Sequence, residues 1–67
     1  MDVRARLGRN VRRLREARGW SQEAFADEVG IHRTYVSDIE RGVRNPTIMI
    51  VEKLALPLEV SPGSLLD

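Results

Sequence analysis

An all-α fold is what these 67 residues predict, and three observations carry the prediction. Val3, Leu7, Val11 and Leu14 recur at intervals of four, four and three residues, the spacing of one helical face. Two shorter segments, one carrying Ala26 and the other Val36 and Ile39, flank Gly30, a residue that adopts a left-handed turn without a Cβ penalty. A further stripe of Ile48, Val51, Leu54 and Ala55 follows Thr47, a favourable N-cap residue.

The first helix begins near Val3 and ends at Arg18, with Gly19 just past it and Trp20 placed to fold back onto Leu14. Trp20 also precedes the N-cap Ser21, with Phe25 at the fourth helical position, so the two aromatic residues form a hydrophobic staple and belong to the core. The second helix runs from Gln22 to about Val29 and the third from Arg33 to Arg41. Ala26 lies one turn before Gly30, where the two helices approach closely, and Val36 and Ile39 face inward. Gly42 ends the third helix, and Val43 to Pro46 form a loop. In the fourth helix Ile48, Val51, Leu54 and Ala55 face inward, leaving Met49, Ile50 and Leu56 for a partner surface. Pro57 removes a backbone donor and crowds the preceding turn, so this helix should stop or kink near Leu56. A last helical turn, Pro62 to Leu66, is capped by Ser61. The apolar cluster Leu58, Val60, Leu65 and Leu66 closes the core, forms a dimer interface, or does both.

Length and composition bound the function. A chain of 67 residues has only a marginally adequate core, which a dimer would reinforce. No cysteine is present, so disulfides and thiolate metal sites are excluded. The first thirty residues lack the apolar run of a signal peptide, and no stretch of about 18 apolar residues is available to span a membrane, so a cytoplasmic protein with no membrane partner is expected. The formal net charge is only +1, but arginines crowd positions 4, 6, 9, 12, 13, 15 and 18 while the acids come later. Ten of the eleven basic residues are arginine, the side chain suited to bidentate phosphate and guanine contacts. One histidine, dispersed acids and no cysteine offer neither a metal site nor a nucleophile–base pair, so no enzyme, cofactor or small-molecule ligand is expected.

Two short helices joined at Gly30 are the pattern of a DNA-binding helix-turn-helix, whose second helix lies in the major groove. From about Leu7 to Asp67 the sequence resembles the XRE-type, lambda-repressor-like family. The matching residues are Gly19, Ser21-Gln22, Ala26, Gly30, Val36, Ile39-Glu40-Arg41-Gly42, Asn45-Pro46-Thr47 and Val60-Ser61-Pro62-Gly63. The resemblance implies a compact domain of five helices spanning residues 1–67, with the helix-turn-helix formed by helices two and three. It departs from the family where His32 replaces the usual Ser or Thr cap, and where Pro57 and Glu59 replace a continuing helix and its terminal glycine.

The resemblance also implies roles for named residues. Arg33, Thr34, Ser37 and Asp38 fall on or beside the base-reading positions: arginine suits guanine, threonine a thymine methyl, and aspartate cytosine N4. Gln22 would touch a phosphate at the N-terminus of helix two. Arg41 and Arg44, flanking the loop after helix three, would hold phosphates. His32 either caps helix three through a ring nitrogen or turns outward to the DNA backbone. Tyr35 either gives its hydroxyl to a phosphate or packs at the helix edge. Glu40, in the last turn where the helix dipole disfavours a negative charge, is paired in the family with an arginine corresponding to Arg15. The function expected is regulation of transcription by sequence-specific binding of double-stranded DNA, as a homodimer on a palindromic operator, in the manner of a phage-type repressor or a restriction–modification controller protein. The alternative is an antitoxin-type module whose main partner is a toxin.

Overall fold

In the computed structural model, which describes residues 2–67, four α-helices and a 3-10 turn follow one another. They are α1 (Val3–Ala17), α2 (Gln22–Val29), α3 (Arg33–Glu40), α4 (Ile48–Leu58) and the turn Pro62–Leu66. The fifth helix expected from the sequence is therefore a single 3-10 turn, in which Ser61 accepts from the Ser64 N–H at 3.3 Å. Side chains cap every helix start: Asp2 for α1, Ser21 for α2, His32 for α3 and Thr47 for α4. At the first of these, hydrogen bonds from the Arg4 side chain and from two backbone N–H groups hold the Asp2 carboxyl down at about 2. Among the described residues no helix is long and apolar enough to cross a membrane.

The helices wrap a core whose fully buried members, Val11, Phe25, Val36, Ile39, Leu54 and Leu65, come from every element. Trp20 packs its ring against Phe25, with centroids 5.9 Å apart and planes 27° from parallel, which holds the α1–α2 corner to the core. Asn10, buried on α1, donates from Nδ2 to the Leu65 carbonyl at 3.0 Å and to the Asp67 carbonyl at 3.3 Å. This satisfies a buried amide and fastens the 3-10 turn to the first helix.

Where α1 crosses the end of α3, Gly8 permits the contact. A Cβ on Gly8 would lie 2.4 Å from the Ile39 carbonyl oxygen and 2.7 Å from that of Glu40. Both are backbone atoms and cannot rotate away. Glycine inside a helix costs about 1 kcal/mol relative to alanine, so the close approach of two backbones explains its place.

Three readings of the C-terminal third are corrected. The α4 helix passes Pro57 and ends one residue later at Leu58: the proline forfeits its own N–H bond, and continuing the helix by that residue buries Leu58 to 3% exposure. Glu59 then takes the left-handed conformation, φ 57°, and the Val60 N–H bonds to the Ala55 carbonyl at 3.2 Å. That backbone costs an ordinary residue about 1–2 kcal/mol, and the Glu59 carboxylate pairs with Arg18 at the surface. Ile48, expected inside, is 85% exposed, since the first turn of α4 projects beyond the core that Val51 enters. Leu58 and Leu65, candidates for a dimer interface, lie inside the protomer at 3% and 0% exposure and have no surface to offer a partner. Val60 is half-buried and Leu66 exposed.

Gly8→Ala should lower stability by about 2–3 kcal/mol despite its better helix propensity, because the overpacked α1–α3 crossing must open. Chemical denaturation read by circular dichroism checks this. Unchanged or raised stability would show that the crossing has room.

Candidate nucleic-acid interface

The α3 helix presents its inward residues, Val36 and Ile39, to the core and so turns a fixed face outward. At its N-terminus His32 caps it: Nδ1 accepts from the Thr34 N–H at 3.1 Å. The imidazole therefore substitutes for the hydroxyl of a Ser or Thr cap, with Nδ1 as acceptor and the proton on Nε2. Arg33 and Thr34 follow, both exposed, and among the described residues neither side chain has an ion pair or hydrogen-bond partner. Ser37 lies one turn further along and is half-buried.

The other end of α3 is organised by a carboxylate. Asp38 Oδ1 lies 2.8 Å from Arg41 Nη2, and Asp38 Oδ2 lies 3.9 Å from Arg44 Nε. The Arg44 guanidinium also covers the Tyr35 ring, 4.2 Å from its centroid. Tyr35 thus packs its ring against the core on one side and supports a cation on the other. Asp38, Arg41, Arg44 and Tyr35 form one cluster, separate from Arg33 and Thr34. The i,i+3 spacing of Asp38 and Arg41 was a readable signal for part of it. The approach of Arg44 across the loop was not.

Behind this surface Glu40 joins three elements. Arg15 Nε donates to Glu40 Oε2 at 2.7 Å and Arg15 Nη2 to Oε1 at 3.0 Å, a bidentate pair whose side chains are 9% and 4% exposed. Arg15 Nη1 donates to the Trp20 carbonyl at 2.7 Å, fixing the turn between α1 and α2. Hydrogen bonding to Glu40 raises the pKa of the Arg15 guanidinium above its already high ordinary value, so the cation persists at every accessible pH. Gln22 Nε2 donates to Glu40 Oε1 at 3.1 Å. This contact leaves Gln22 one amide N–H and its carbonyl oxygen for an outside partner. No buried side-chain nitrogen or oxygen among the described residues lacks a hydrogen bond.

A helix-turn-helix with one exposed helix, capped at one end and cation-rich at the other, defines a class. Residues 11–65 match the family model described as Helix-turn-helix. The control protein C.BamHI of Bacillus amyloliquefaciens is 45% identical over 67 residues, covering 98% of this chain and 83% of that protein. The crystal structure of the restriction–modification controller protein C.AhdI from Aeromonas hydrophila superposes with a TM-score of 0.87 at 40% identity, covering 92% of this chain and 94% of that one. The master regulator for biofilm formation SinR, solved in complex with DNA, superposes with a TM-score of 0.86 at 35% identity, covering 91% and 98%. The chain belongs to the XRE-type helix-turn-helix family of DNA-binding transcriptional regulators.

Arg15→Ala should destabilise the fold by about 3–5 kcal/mol, because it leaves the Glu40 carboxylate buried without its cation. The double variant Arg15→Met with Glu40→Leu should recover much of that loss, since no charge then remains buried. Urea denaturation of both variants provides the measurement. A double variant no more stable than the single one would mean that the hydrogen bonds to Trp20 and Gln22 carry the stabilisation.

Proposed function

We propose that this chain binds a palindromic operator as a homodimer and, like the control proteins it is similar to, regulates transcription in a restriction–modification system. The observation that carries the reading is the pair of exposed side chains, Arg33 and Thr34, which have no partner among the described residues and stand at the N-terminal end of α3, the end from which a recognition helix reaches base edges. Arg33 supplies a bidentate donor for guanine O6 and N7, Thr34 a methyl and a hydroxyl, and Ser37 a further hydroxyl one turn on. His32 Nε2–H and the remaining amide N–H of Gln22 are donors for the flanking phosphates. Arg41 and Arg44 lie at the opposite end of α3, where they reach the backbone only on release from Asp38.

Reading two half-sites requires recognition helices about 34 Å apart, which a dimer sets. With Leu58 and Leu65 inside the protomer, the dimer surface passes to the outer face of α4. Ile48, Met49 and Leu56 are 85%, 66% and 73% exposed there. Next to Ile48 an open apolar groove of about 170 Å³ is lined by Val3, Leu7, Pro46, Val51 and the exposed Leu66. Large apolar side chains so exposed on a small chain support burial by a second copy.

Arg33→Ala should weaken binding to the best duplex selected from a random pool by about 1–3 kcal/mol and relax preference at one base pair per half-site. Equal weakening on random-sequence DNA would reduce Arg33 to a phosphate contact. For the dimer, sedimentation with circular dichroism separates two leucines. Leu56→Asp should yield a folded monomer with reduced operator affinity, whereas Leu65→Asp should unfold the protomer. A folded, dimeric Leu56→Asp would remove α4 from the interface.

A further inference from the structure

Asp38 is the one acid that α3 carries on its outward surface, and its position is unusual for a protein that must approach phosphates. Its side chain is 24% exposed, and it engages two arginines that are themselves 65% and 46% exposed. Arg44 is further restrained by lying on the Tyr35 ring. Both arginines beyond the end of α3, Arg41 in its cap and Arg44 in the following loop, are therefore held on a single carboxylate of that helix. Arg33, at the opposite end, has no such tether among the described residues.

Non-specific DNA binding arises from cations that neutralise phosphates and release counterions. An arginine already paired with an aspartate contributes less to it, because reaching a phosphate breaks the pair and brings a like charge toward the backbone. An exposed ion pair contributes at most about 1 kcal/mol, so each tether is worth a few-fold in affinity, enough to bias binding and too little to prevent it. On the correct sequence, base contacts at the N-terminal end of α3 supply affinity while the arginines stay on Asp38. On random sequence the complex depends on phosphate contacts alone, so a cation withheld from the backbone is felt in full.

We propose that Asp38 is a specificity-determining residue that acts by holding Arg41 and Arg44 off the phosphate backbone, so that random-sequence binding is suppressed more than operator binding. The proposal deepens the DNA-binding reading above and rests on it. It also gives the carboxylate a role other than accepting from cytosine N4.

The test uses the full chain and two probes, a duplex of random sequence and the best duplex selected from a random pool, each titrated at several salt concentrations. Asp38→Asn should tighten random-sequence binding by about two- to ten-fold, steepen its salt slope by up to about one unit per released arginine, and change affinity for the selected duplex less. In a background carrying Arg41→Ala and Arg44→Ala, the same substitution should give no gain. A gain that persists in that background would overturn the proposal, because Asp38 would then act by direct repulsion of phosphate. Weaker binding of the selected duplex, with lost preference at a C·G pair and no change on random DNA, would overturn it in favour of base reading. If the wild-type chain bound neither duplex, the DNA-binding reading would fail, and this proposal with it.

Discussion

The Glu40 carboxylate is the point on which the arrangement of helices depends. It accepts two hydrogen bonds from Arg15 of α1 and one from Gln22 of α2, while it belongs to the last turn of α3. A buried ion pair adds little net stability over apolar residues of the same size, but removing one partner is expensive. Its effect here is geometric. The same guanidinium that grips Glu40 also holds the Trp20 carbonyl, so the α1–α2 turn and the end of α3 are fixed to one planar group, while Gln22 ties the start of α2 to the carboxylate itself. Gly8 complements this by allowing the α1 backbone to lie against the Ile39 and Glu40 carbonyls.

With α3 fixed from behind, its two ends acquire different characters. The N-terminal end is capped by a ring nitrogen of His32, and among the described residues the Arg33 and Thr34 side chains have no ion-pair or hydrogen-bond partner. The C-terminal end is already satisfied internally, through Asp38, Arg41, Arg44 and Tyr35. A surface built this way separates groups that are ready to bind from groups that must first exchange partners. That difference has a physical consequence on a polyanion, where every freely available cation adds affinity without regard to sequence.

The C-terminal third shows how burial overrides a local breaker. Pro57 argues for an early stop, and Glu59 stands in a conformation better suited to glycine. The helix nevertheless continues to Leu58, which gains a place in the core. Apolar residues then divide between two destinations: Leu54, Leu58 and Leu65 stabilise the protomer, and Ile48, Met49 and Leu56 remain outside.

Local patterns in the chain were enough to determine α1 to α3, the start of α4 and the turn between α2 and α3. The Ser21 and Thr47 caps, the apolar stripe of α1 and Gly30 at φ 86° are decided within a few residues of themselves. The resemblance to a family added the pairing of Arg15 with Glu40, which no spacing along the chain reveals. Tertiary structure alone decided that Gly8 sits under two carbonyls and that Arg44 reaches back across the loop to Asp38 and the Tyr35 ring. It also decided that Leu65 is inside while Ile48 is outside. Helical periodicity records which side of a helix is apolar, but how deeply a side chain is buried, and which charge it meets, depends on segments distant in sequence.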